Sequence, residues 1–219
     1  MAALSGAVYA RLRDEIVAGA ISPGTKLMPQ RLAPRYAASA ASIREALIRL
    51  AAEGFIESLP QRGFRAARTG PDVIWEIAHF RILIETEGAR LSIARGGMEW
   101  EANLTAAHHR LAHLERRMRG ESLDAAQLRL WSASDRVFHE ALIAACGSAR
   151  LLAQHRLAFD QFKQHVIALD PKLGFRGAEL LQEHADILNA ALARDAEGCA
   201  AALRRHFDTY RRVTPGRAG

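Results

Sequence analysis

Cysteine is scarce in this chain of 219 residues: only Cys146 and Cys199 are present, and neither belongs to a C-x-x-C pair. That excludes a disulfide framework and a thiolate-based zinc site, so both cysteines read as free and partly buried. Aromatic residues are also few, at 6 %, while Ala, Leu and Arg dominate, a mixture that favours helix over sheet. No apolar run approaches the roughly 20 residues of a membrane span, and no apolar signal-peptide core follows the first residues. Internal repeats and low-complexity tracts are missing as well. The expectation is a mainly α, cytoplasmic protein with no membrane partner.

Acidic residues are thin at one end only. Residues 1–68 hold ten Lys/Arg against five Asp/Glu, whereas 69–219 hold twenty against nineteen, so nearly all of the net charge of +6 sits in the first third. A basic excess on a small module suits phosphate contacts, with a solvated basic face as the alternative. At 49 % hydrophobic residues the chain can fill the cores of two small domains.

The pattern along the chain divides in the same place. Val8, Leu12 and Ile16 mark an amphipathic helix that Gly19 and Ser22-Pro23-Gly24 end, a second helix is expected over about 29–36, and a third over about 40–54. Ile43, Leu47, Leu50 and Ala51 form the apolar stripe of the third, and Ser39 is its natural N-cap. Residues 55–59 then read as a strand, 60–63 as a tight turn and 64–67 as a returning strand. This is a winged helix-turn-helix of three helices plus a β-hairpin wing, occupying residues 1–68. Thr69-Gly70-Pro71 reads as a linker. Beyond it only helical stretches follow, at about 72–95, 99–119, 124–146, 149–169, 175–194 and 196–213, an antiparallel bundle of about six helices with a flexible tail over 214–219.

A helix that follows a short turn can lie in the major groove and offer its N-terminal residues to base edges. Ser39, Ala41, Ser42 and Arg44 occupy that end. Arg62 and Gly63 at the wing tip suit a close approach to the minor groove or backbone, and Arg65 and Arg68 suit phosphates. Alternatively, Arg44 and Arg62 are surface residues of a protein-binding winged helix. The string Ile21-x-Pro23-Gly24-x-x-Leu27, Leu32-Ala33, Ser39, Ile43-Arg44-Glu45-Ala46-Leu47-x-x-Leu50, Glu53-Gly54-Phe55-Ile56 and Arg62-Gly63-Phe64 resembles the DNA-binding domain of the GntR family. The resemblance implies that Arg44 contacts DNA and that Glu45 positions neighbours inside the module. The chain departs from the family at Ala40, where relatives commonly carry Arg, and at Gln30 and Pro34. An arginine fork for guanine is missing there, so the operator cannot be carried over.

In the second domain four polar residues interrupt apolar stripes. Asp135 and His139, at i and i+4, share a helix face with Phe138 and Leu142; His184 lies among Leu180, Ile187, Leu188 and Ala191, and His206 among Cys199, Leu203 and Tyr210. A single buried histidine is usually a hydrogen-bonded core residue. Three imidazoles with one carboxylate instead suit a divalent transition metal, zinc first and nickel, manganese or iron next, with positions left for water or an anion. The order Asp-x-x-x-His, Glu183-His184 and a last-helix His resembles the metal-binding FCD effector domain of the FadR branch of the GntR family. His79, His108, His109, His113, His155 and His165 read as surface or structural, His165 being the foremost exception.

Arg81 is a further anomaly, since Ile74, Ile77, Ile84 and Gly88 place it on a buried stripe, and a buried guanidinium needs an anion. Glu85, at i+4, can supply it. In FCD relatives the corresponding Arg-x-x-x-Glu lines the effector cavity, which implies that Arg81 and Glu85 receive a small organic or sugar acid. The resemblance further implies a homodimer on a pseudo-palindromic double-stranded DNA operator, with residues 69–71 as a hinge. The expected function is a DNA-binding transcriptional regulator, a repressor by the commoner family mode, and not an enzyme. A direct metal sensor and a helical metalloenzyme are the rival readings, the latter without a general base beyond the ligands.

Overall fold

The computed structural model describes residues 2–59, 62–119, 124–169 and 178–213. The chain folds into two compact units: Met1–Gly70 with Lys163–Leu169, and Pro71–Phe162 with Asp170–Gly219.

In the first unit, α1 (Ala2–Val17), α2 (Pro29–Arg35) and α3 (Ala40–Ala52) accompany three short strands, β1 (Lys26–Leu27), β2 (Ile56–Leu59) and β3 (Gly63–Ala66). Pro29 opens α2 at a position whose N–H needs no helical partner, and the Ser39 side chain accepts from Ser42 N to cap α3. Val8, Leu12 and Ile16 of α1 meet Ile43, Leu47 and Leu50 of α3 in a core from which all six are excluded from solvent. Each such side chain contributes about 1.5–3 kcal/mol relative to exposure. Across the same helix pair, Arg49 stacks over the Tyr9 ring at 3.7 Å, and the Tyr9 hydroxyl donates to Glu53.

The wing hairpin pairs Ile56 with Ala66 and Leu59 with Gly63. Gly63 takes φ +84°, a left-handed conformation that a β-carbon would strain. The expected two-stranded wing has a third member: β1 pairs antiparallel with β3 through Lys26↔Arg65 and Leu27↔Phe64, giving the order β1-β3-β2. Two residues are too short for a period-2 pattern to register. α3 also stops at Ala52, two residues before the expected end. Within the expected turn, Pro60 and Gln61 lie outside the described residues.

The second unit contains α4 (Pro71–Arg95), α5 (Met98–Met118), α6 (Ala125–Ile143), most of α7 (Ala149–Leu169), α8 (Ala178–Leu192) and α9 (Ala196–Val213). Pro71 is the first residue of α4 rather than part of a linker, in keeping with proline's fitness for that position. Asp124 and Gln127 form a capping box on α6. α4 packs on α9 and α6, α5 on α6 and α8, and α8 on α9. α6 stops at Ile143 and α8 begins at Ala178 within the described residues, against expected limits of 146 and 175. Residues 175–177 and the tail 214–219 lie outside the described residues. Among the described residues no helix is long and apolar enough to cross a membrane.

Candidate functional site

Three helices of the second unit bring the predicted polar residues together. Asp135 and His139 come from α6, His184 from α8 and His206 from α9, and all four are buried. One ring nitrogen from each of the three histidines lies within 4.8 Å of the others. Asp135 Oδ1 joins them, 3.3 Å from His184 Nε2 and 3.5 Å from His139 Nε2. Phe138 closes one side, with its ring centroid 5.3 Å from both His139 and His184.

The opposite ring nitrogens are each tied to a different glutamate. His139 Nδ1 meets Glu85 Oε2 at 2.7 Å, His184 Nδ1 meets Glu115 Oε1 at 2.9 Å and His206 Nδ1 meets Glu183 Oε2 at 2.9 Å. A carboxylate at Nδ1 holds a proton there, so that a metal displacing any proton from Nε2 would meet the lone pair of that nitrogen. Both His139 Nε2 and His184 Nε2 are buried without a hydrogen bond, a costly state for polar atoms. Converging imidazole nitrogens beside a carboxylate oxygen fit a cation of borderline softness. Chemically, the arrangement can hold a divalent metal.

The local field is strong. Burial opposes charge on His184, but Asp135 and Glu115 outweigh it and push its pKa up to about 9. His206 moves the other way, to about 3, because burial together with His184 and His139 outweighs Glu183. Burial also works against ionisation of Glu85, yet Arg81 and His139 hold that carboxyl well below its ordinary range.

Arg81 and Glu85 are both buried in α4. Arg81 Nε donates to Glu85 Oε1 at 2.8 Å, with Nη2 2.7 Å from the same oxygen. The guanidinium lies over the rings of Phe159, Phe207 and Phe162, at 4.5, 4.7 and 5.1 Å. Glu85 therefore links the arginine to His139, and its Oε1 also stands 3.2 Å from His155 Nε2. His155 is fully buried at the edge of the cluster, not a surface residue. His165 is buried too, but it belongs to the last turns of α7 in the first unit and takes no part.

Glu115 escaped the sequence reading. Its Oε1 accepts from the Trp131 indole at 3.2 Å as well as from His184. The signal was available, since Leu111 and Met118 put Glu115 on the buried stripe of α5. The test that singled out Arg81 applies to it equally.

In the first unit, Ser39 and Ser42 hydroxyls lie 2.9 Å apart at the start of α3, while Ala41 and Arg44 are exposed on its outer face. Arg62 and Gly63 are exposed at the wing, and Arg62 N closes the turn on Leu59 O at 3.0 Å. Glu45 is exposed on the same helix. Ile48, 53 % exposed, is a large apolar side chain on the outer face of α3 that the sequence reading passed over.

Comparison with known proteins bears on both units. Residues 4–65 match the family model for bacterial regulatory proteins of the gntR family, and residues 76–209 match the FCD domain. The HTH-type transcriptional regulator BphR of Paraburkholderia xenovorans is 34 % identical over 206 residues, covering 93 % of this chain and 82 % of that protein. The HTH-type transcriptional repressor GlaR of Escherichia coli is 32 % identical over 207 residues, covering 92 % and 91 %. In three dimensions, Escherichia coli McbR/YncC superposes with a TM-score of 0.72 at 22 % identity, over 96 % of each chain. A GntR regulator of Rhodococcus sp. RHA1 gives 0.76 at 20 % identity, over 98 % of this chain and 99 % of that one.

Proposed function

Because this chain belongs to the GntR family and carries an FCD domain, and is therefore a transcriptional regulator and not an enzyme, we propose that it is a repressor released from its operator by a small carboxylate bound at a metal centre. The observation that carries this reading is the pair of buried imidazole nitrogens, His139 Nε2 and His184 Nε2, that lack a hydrogen bond beside Asp135 Oδ1.

His139, His184, His206 and Asp135 hold the metal in this reading. Bound there, a divalent ion supplies a Lewis-acidic centre with positions open to an anionic oxygen. Three nitrogens and one oxygen suit zinc, with nickel, manganese and iron as alternatives. Glu85, Glu115 and Glu183 keep the imidazole protons at Nδ1 and orient the rings. Arg81 is the cation available to the acid, and an incoming carboxylate competes with Glu85 for it. The apolar rings of Phe159, Phe162 and Phe207 exclude water from that exchange and raise the strength of either pairing.

On the DNA side, the repressor acts as a homodimer, and each copy lays the start of α3 in a major groove. Arg44 reads bases there, Ser39, Ala41 and Ser42 lie closest to the duplex, and Arg62 and Gly63 approach the adjacent backbone or minor groove. The repressor sense draws on GlaR. A ligand releases DNA only by binding the released state more tightly than the bound one.

The test is a gel shift on DNA that the protein itself enriches from a random pool, titrated with candidate organic and sugar acids with and without chelator. The expected result is release by an acid in the presence of metal and none after chelation. Release by metal alone would make the ion itself the signal, and indifference to every acid in both arms would remove the effector reading.

A further inference from the structure

The outer face of α4 carries one exposed stripe: Glu76, His79, Phe80, Leu83, Glu87 and Arg90. Spacings of three, four and seven residues keep these side chains on one side of the helix. Phe80 is 43 % exposed and Leu83 57 %. Single exposed leucines are ordinary, but Phe80 and Leu83, three residues apart in the middle of a charged stripe, make a paired apolar patch of the kind that marks a contact surface.

The charges around it identify the occupant. Counting outward from Leu83, Glu76 stands seven residues before and Arg90 seven after; His79 stands four before and Glu87 four after. A two-fold axis through Leu83 that sets a second α4 antiparallel to the first brings Glu76 opposite Arg90 and His79 opposite Glu87, with Leu83 on Leu83. The stripe is self-complementary, as an isologous contact requires. Within one copy, Arg90 pairs with Glu87 at 2.7 Å, both half exposed; an exposed intrahelical pair of this kind is weak and readily exchanges partners.

We propose that a second copy of this chain covers the outer face of α4, antiparallel about Leu83, with Glu76 of each copy on Arg90 of the other and Phe80 and Leu83 forming the apolar centre. This inference rests on the homodimer reading above and locates its interface.

The test uses the full chain and sedimentation equilibrium. Glu76→Arg sets two like charges opposite each other at both ends of the contact, and Arg90→Glu does the same with the other sign. Each is expected to weaken the dimer by about ten-fold or more, and the double variant E76R/R90E to recover wild-type association. Glu76 and Arg90 are both exposed, so the melting temperature should hold, which separates lost association from lost folding. Leu83→Glu is expected to yield monomer. A wild-type dimer that none of these variants disturbs overturns the proposed face and leaves dimerisation standing. Single variants that dissociate without recovery in the double overturn the antiparallel register. A wild-type protein that is monomeric, free and on DNA, overturns the dimer reading itself.

Discussion

A carboxylate buried in a helical core needs partners for its charge, and Glu115 directs one oxygen at both His184 and Trp131 while Oε2 is buried without a hydrogen bond. Replacing it with glutamine keeps the shape but removes the charge that makes His184 a strong donor. Glu115→Gln should weaken zinc affinity by roughly 10–100-fold, read by competition with a chromophoric chelator, and shift the intrinsic fluorescence change on zinc addition because the Trp131 indole shares the same oxygen. Unchanged affinity would reduce Glu115 to a packing residue. Arg81 calls for a different experiment. Removing one partner of a buried ion pair costs about 3–5 kcal/mol, so Arg81→Ala should lower stability in urea unfolding by that order, whatever its part in effector binding. Arg81→Lys keeps a cation for Glu85 while giving up the planar fork; retained folding with a weakened acid response would assign the guanidinium to the effector. At this scale the sequence was informative where chemistry contradicted pattern. Asp135, His139, His184 and His206 stood out as polar residues on apolar stripes. His155 meets the same criterion, since Leu152, Ala158, Phe159 and Phe162 put it on the apolar stripe of α7, and that signal was passed over.

At the scale of elements, helix limits followed from caps: Ser39 before α3, Pro29 at the start of α2, Gly19 after α1. The wing was legible as a hairpin, since Ile56–Leu59 and Gly63–Ala66 flank a turn, but β1 was not, because a two-residue strand has meaning only once β3 lies beside it. α3 carries part of the core and, in the proposed reading, the DNA-facing residues, and the two roles should separate by mutation. Ser39→Ala removes the hydrogen bond to Ser42 N and should cost ~1 kcal/mol of stability, seen in chemical denaturation, with a modest loss of DNA affinity. Arg44 is exposed, so Arg44→Ala should leave stability unchanged within ~0.5 kcal/mol. Its loss should instead weaken binding to the enriched DNA by about 1–3 kcal/mol and relax sequence preference at one position of each half-site. A uniform loss across all sequences would make Arg44 a phosphate contact, and no loss would move recognition elsewhere on the unit.

For the molecule as a whole, the proposed metal centre would join α6, α8 and α9 directly and α4 and α5 through Glu85 and Glu115. A metal held there would act on folding as well as on regulation, because an unfolded chain cannot assemble ligands drawn from separate helices. A ligand present at about a thousand times its dissociation constant stabilises the native state by ~4 kcal/mol. For a chain of this size each kcal/mol moves the melting temperature by roughly 2–4 °C. Calorimetry before and after chelation should therefore show a fall on the order of 10 °C, reversed by adding zinc back. In His139→Ala combined with His184→Ala, chelator and zinc should both be without effect. The acid arm then separates the two uses of the site. If the metal serves regulation, a cognate acid raises the melting temperature of the zinc-loaded protein further and does nothing to the chelated one. If it serves folding alone, zinc restores the full stability and the acid adds nothing in either state. A melting temperature indifferent to both chelator and zinc would leave His139 and His184 as core histidines and take the metal out of the mechanism.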